Sequence, residues 1–266
     1  MIEALSYQFI QNAIIAGVLV SLVSGIIGSL VVVNRMVFLA GGIAHAAYGG
    51  IGLALFLSLP IFLGTAIFAV LAALIMAFVT LKQKERLDTF IGLIWAVGMA
   101  VGIIFVDLTP GYNVDLMSYL FGSILAVEQS DLYFMGSLLA LIVLVLIIWY
   151  PKILAVSYDS QYAALSGINV PFFYALILVL AALSVVVAIK VVGLILVIAL
   201  LTIPVYIAQE LCASLLKMML LSGILASFFT LSGLWLSYTF NLTSGASIIL
   251  TSALFFMLFL LLRRSR

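Results

Sequence analysis

One histidine, one cysteine and five prolines are all that this chain of 266 residues has of those types. The lone Cys212 excludes an intrachain disulfide and any cysteine cluster for zinc or iron–sulfur. Charge is scarce too: only 7% of residues are Asp, Glu, Lys or Arg, against about 25% in an average soluble domain. So few charges cannot cover the apolar surface of a chain this long, and lipid has to do it. There is no GxxxxGK[ST] phosphate loop, no Gly-rich dinucleotide fingerprint and no room for a soluble catalytic domain. Paired intramembrane carboxylates, a histidine cluster and a nucleophile with an obvious base are also missing, which argues against a membrane enzyme. Linker-like stretches are absent, so residues 1–266 read as a single transmembrane domain.

What is present is apolar. Hydrophobic residues make up 67% of the chain, in runs about as long as a spanning helix, roughly 20 residues. The fold expected is all-α, a polytopic transmembrane helical bundle. Spans fall near 8–33, 37–58, 60–81, 89–108, 131–150, 172–189, 191–208, 218–240 and 244–262. A piece at 115–127 is too short to cross and reads as a re-entrant or surface helix. The join at 189–191 is tight for a turn, so eight to ten crossings are expected. Positive loops stay cytoplasmic. An outside amino terminus puts Arg35, Lys82, Lys84, Arg86, Lys152, Lys217, Arg263, Arg264 and Arg266 inside. Glu3, Asp107, Asp115, Glu128 and Asp131 then fall outside, and only Lys190 dissents. The chain is therefore expected to be multi-pass in the cell (inner or plasma) membrane with a cytoplasmic carboxy terminus. Its first apolar run is long enough to span and lacks the marks of a removable signal peptide, so it is expected to be retained.

Small residues recur at four-residue spacing in Gly17, Ser21, Gly25 and Ser29, and again in Gly42, Ala46 and Gly50, which lets helix backbones approach closely in lipid. The longest polar stretch, 152–171, interrupts this pattern. Ser157 or Asp159 can cap a short helix there, Gly167 can end it and Pro171 opens the next span. Tyr158, Tyr162 and Leu165 share one face of that helix, which either lies at the lipid surface or docks a cytoplasmic partner. Ionisable groups at bilayer depth are costly and therefore functional suspects. His45 lies well inside the second span, with Gly41 and Gly49 one turn either side on the same face. That leaves room beside the imidazole for an ion, a water or another helix. Imidazole nitrogen suits zinc, manganese or iron, yet one histidine is not a site and this helix supplies no carboxylate near it. The competing reading is a histidine hydrogen-bonded within the bundle. Lys190 either snorkels to the outer interface or meets a buried carboxylate. Asp107 and Asp115, flanking Pro110 and Gly111, either attract cations or sit in a solvated loop. The methionines and Cys212 read as gap fillers.

Six segments carry a resemblance over nearly the whole chain: FLAGGIAHAAYGG at 38–50, RLDTFIG at 86–92, DLMSYLFGSIL at 115–125, VSYDSQYAALSGINV at 156–170, KVVGLILVIALLTIP at 190–204 and LTSGASIIL at 242–250. Together, in this order, they resemble the permease family of zinc, manganese and iron ABC importers, with a type II importer-like fold. The resemblance implies a homodimer of permeases in membrane lipid, two cytoplasmic ATP-binding subunits beneath it and an extracytoplasmic metal-binding protein that delivers the ion. It implies no stably bound cofactor, a divalent metal ion as cargo, and no nucleic-acid partner. Residues 157–168 become a coupling helix that enters a groove on the ATPase, with Asp159, Tyr162, Ala163 and Gly167 carried over. The family pattern around His45 reads like GDALSHA, so its metal-contacting aspartate corresponds to Gly41 here. With only His45 left, the site borrows ligands elsewhere, binds more weakly or serves a different cargo. The alternative function is a stand-alone secondary transporter or channel for a cation, with His45 as a proton relay.

Overall fold

The structure, a computed structural model, describes residues 7–82, 86–109, 116–195 and 197–264. Glu3, Lys84, Pro110, Gly111, Asp115 and Arg266, singled out above, lie outside them. A backbone in lipid has to satisfy its own N–H and C=O groups, and the apolar runs accordingly become helices. In chain order these are α1 (Gln8–Val33), α2 (Val37–Phe56), α3 (Ile61–Lys82), α4 (Leu87–Asp107), α5 (Leu116–Phe121), a 3-10 turn (Ile124–Ala126), α6 (Gln129–Tyr158), α7 (Ser160–Leu165), α8 (Val170–Val192), α9 (Val197–Leu211), α10 (Leu215–Phe240) and α11 (Ser244–Arg264). Among the described residues, eight of these helices are long and apolar enough to cross a membrane.

The expected span at 191–208 is replaced by the 15-residue α9, because α8 runs on through Lys190 to Val192 and breaks at Gly193, whose φ is 85°. Fifteen residues rise only about 22 Å, short of the roughly 30 Å of a bilayer's hydrocarbon core. Its start follows the end of α8, where the Val192 carbonyl crowds Gly245 at the start of α11. Its end is tied to the far end of α11 by an ion pair, Arg263 Nη1 to Glu210 Oε2 at 2.7 Å. α9 therefore runs alongside α11, in the same direction.

Proximity along the backbone groups the chain into two compact units. The first comprises Met1–Val32, Met117–Leu144 and Val187–Arg266. In it the small-residue face of α1 meets α10: Ser21 Oγ and Thr230 Oγ1 are 2.9 Å apart, Ser222 Oγ donates to the Gly25 carbonyl at 2.8 Å, and a Cβ on Gly25 would collide with the Gly223 backbone. The short piece after residue 115 does not cross. Leu194 N–H donates to the Tyr119 carbonyl at 3.0 Å, Ile195 N–H to the Leu120 carbonyl at 3.2 Å, and Ser123 N–H to the Lys190 carbonyl at 3.1 Å. The broken end of α8 thus finds its partners on the end of α5, as irregular backbone buried in protein must.

The second unit comprises Val33–Leu116 and Val145–Val186. Here α2 is almost wholly buried against α3 and α4. A Cβ on Gly50 would strike the Gly64 carbonyl, one on Gly52 the Gly102 backbone, and one on Gly98 the Cα of Ala46. The glycine spacing read in the sequence is a helix-packing surface.

Candidate functional site

His45 sits mid-way along α2 and is 8% exposed. Its imidazole stacks on the Trp95 indole of α4, ring centroids 3.8 Å apart and planes 11° from parallel. One turn further along, Gly49 is closed over by the Phe68 ring and the Gly98 carbonyl. Of the three occupants expected beside the glycine face, another helix takes this end of it. The histidine is not the hydrogen-bonded core residue of the competing reading: its buried Nδ1 has no hydrogen-bond partner. The stack holds the ring by its face and leaves Nδ1 in the ring plane without a hydrogen-bond partner. Trp95, whose Nε1 donates to Met99 Sδ at 3.2 Å, was not legible as a site residue, because only the packing of α4 on α2 brings it to His45. No group of three or more His, Cys, Asp or Glu side chains placed to hold a metal occurs among the described residues.

The segment after α6 forms its own small construction. Asp159 is the N-cap of α7, its Oδ1 accepting from Gln161 N–H at 3.1 Å and Tyr162 N–H at 2.9 Å. Gly167, at φ 76°, ends it, with Ile168 N–H returning to the Ala163 carbonyl at 3.0 Å. These two stops shorten the expected helix of 157–168 to Ser160–Leu165. Tyr162 and Leu165 of α7 are exposed by 63% and 89%, and Tyr158 at the end of α6 by 63%, while Ala163 is fully buried, so α7 is seated on its alanine with two large side chains standing out. Ser157 does not cap; its Oγ accepts from Asn34 Nδ2 at 2.9 Å.

Lys190 meets the carboxylate that was its second reading: Nζ lies 3.3 Å from Asp131 Oδ2, which also accepts from Glu128 N–H at 2.9 Å. A separate groove of about 770 Å³ between α10 and α11 is lined by Phe228, Trp235, Phe240, Leu250 and Leu254 among others. Its hydroxyls, Ser232, Ser247 and Thr251, each donate to a carbonyl one turn back, and the rest of its lining is aliphatic or aromatic.

The bundle thus carries a short exposed helix between two crossings and one buried imidazole whose Nδ1 has no hydrogen-bond partner. Residues 6–263 match the ABC 3 transport family. This chain belongs to that family. It is 47% identical over 264 residues to an uncharacterized membrane protein of Synechocystis sp., spanning 99% of this chain and 94% of that one. It is 35% identical over 253 residues to the manganese transport system membrane protein MntC of Listeria monocytogenes, spanning 95% and 90%. Among solved structures it matches PsaBC from Streptococcus pneumoniae in complex with Fab, with a TM-score of 0.88 and 34% identity over 97% of this chain and 93% of that one. As a member of the ABC 3 family the chain is a multi-pass permease subunit, not an enzyme, and ATP hydrolysis belongs to a separate chain. The stand-alone transporter alternative is set aside on that ground.

Proposed function

We propose that this permease forms the translocation pathway of an ATP-driven importer for a divalent metal ion, manganese first among zinc, manganese and iron. The observation that carries this reading is the likeness, along nearly the whole chain, to a protein named for manganese transport. The unpartnered Nδ1 of His45 supports it as a ligand on the pathway. The metal is cargo, held in passing, and no stably bound cofactor is required. The working assembly is two copies of this chain in the lipid, two cytoplasmic ATP-binding subunits and an extracytoplasmic metal-binding protein. The amino terminus lies outside and the carboxy terminus inside, as the Lys and Arg loops favour. α7, with Asp159 capping it, Ala163 seating it, Gly167 ending it and Tyr162 exposed, is the element that enters the ATPase.

The alternating-access step follows from ATP closing the partner subunits and moving α7 with them. Uptake of manganese, zinc and iron by cells carrying this permease with its ATPase and binding protein tests the reading. One metal should accumulate, be lost in His45→Ala, and be raised or altered in Gly41→Asp, which adds a carboxylate one turn from the imidazole. No accumulation of any of the three, with His45→Ala silent, would move the cargo outside this class.

A further inference from the structure

Resting on that importer reading, we infer that the Asn34–Ser157 hydrogen bond is the positioning contact that couples α7 to the helix bearing His45. The second compact unit holds both ends of this connection, with α7 at one end and α2 at the other. Between α7 and Ser157 there is no slack: Asp159 N–H donates to the Ala155 carbonyl of α6 at 2.9 Å while its side chain caps α7. α6 and α7 are therefore joined through one residue that is hydrogen-bonded to both. Because Asp159 does the capping, the Ser157 hydroxyl is left to face another element, and it takes the Asn34 amide at 2.9 Å in a part-buried setting.

The other side of the contact is equally short. Asn34 lies in the tight turn between α1 and α2, followed by Arg35 at φ 57° and the fully buried Met36. Met36 already belongs to α2 in its bonding, its carbonyl accepting from Ala40 N–H at 2.9 Å. A left-handed non-glycine residue beside a buried methionine is held in place by its surroundings, so the turn moves as a piece. From Val37 to His45 is one uninterrupted stretch of helix, about 12 Å. A displacement of α7 thus reaches the imidazole through one side-chain hydrogen bond and one rigid helix. Asn34 and Ser157 touch neither cargo nor ATPase in this scheme; they set the timing with which α2 follows the coupling helix.

The test is the number of ions accumulated per ATP hydrolysed by the complete complex in proteoliposomes, with manganese(II), zinc(II) and iron(II) as probes. Ser157→Thr and Ser157→Val have nearly the same shape, and only the threonine keeps an acceptor for the Asn34 amide. Ser157→Thr should hold the wild-type ratio, whereas Ser157→Val and Asn34→Ala should each lower it by about fivefold with ATP hydrolysis retained. The double variant should be no worse than either single one. Equal ratios for the threonine and valine variants, or an unchanged ratio in Asn34→Ala, would overturn the inference while leaving the importer reading intact. Hydrolysis and accumulation falling in parallel would overturn it as well, since that is the mark of a merely structural bond. A wild-type complex that accumulates none of the three ions with ATP sinks the importer reading, and the inference with it.

Discussion

The imidazole of His45 is held by an aromatic face and by no hydrogen bond to Nδ1, so its orientation depends on Trp95. Stacked aromatic pairs are worth about 0.5–1.5 kcal/mol beyond their buried area. Trp95 is also 38% exposed, so shortening it opens no sealed cavity. Trp95→Leu should therefore leave thermal stability in detergent nearly unchanged while raising the metal concentration for half-maximal uptake by roughly two- to tenfold. Trp95→Phe, which keeps a ring to stack on, should fall between. A large fall in melting temperature with unaltered uptake would make the indole a packing residue only. Gly41, where the family resemblance leads one to expect an aspartate, belongs to the same scale. An aspartate there would sit one helix turn from His45 on the same face, which is why Gly41→Asp is the informative gain-of-ligand change.

Among the elements, glycine does two different jobs that composition alone does not separate. Gly193 sits at φ 85°, where it breaks α8, and a Cβ there would run into the Gly122 N–H and the Leu120 carbonyl of the crossing strand of backbone. Gly193→Ala should destabilise the protein by roughly 2–4 kcal/mol, combining the left-handed penalty with a backbone collision. Gly136, inside α6, has no neighbour within 4 Å of a would-be Cβ. Gly136→Ala should be neutral or stabilising by about 0.5–1 kcal/mol. Paired melting curves in detergent check both, and a tolerated Gly193→Ala would mean the α8 break is not set by that residue. The break also explains what was hard to read from sequence. Apolar length finds a span, but VVGLILVIALL at 191–201 is apolar throughout, so only the positive φ at Gly193 shows where one helix stops. The capped α7 was legible because Asp159 and Gly167 are local signals a few residues apart. His45 with Trp95, Asn34 with Ser157 and Asp131 with Lys190 were not, since each pair is brought together only by packing.

At the scale of the whole molecule, the count of crossings decides which compartment each end reaches. Eight long helices alone would return the carboxy terminus to the side of the amino terminus, contrary to the distribution of Lys and Arg. A ninth crossing by the short α9 would resolve this, and the Arg263–Glu210 ion pair sets its end beside the end of α11. That argument has a built-in probe. Cys212, the sole cysteine, is partly exposed and lies just past α9. If α9 crosses and the amino terminus is outside, Cys212 faces the cytoplasm together with Lys217 and Arg263. A membrane-impermeant thiol reagent should then leave Cys212 unlabelled in intact spheroplasts and label it once the membrane is opened. Glu128→Cys in a Cys212→Ser background, at the start of α6 on the expected outer side, should show the reverse, labelling in intact spheroplasts. Labelling of both from outside would mean that α9 does not carry the chain across. Labelling of Cys212 alone would keep all nine crossings and invert the protein in its membrane, leaving α7 on the wrong side to meet an ATPase.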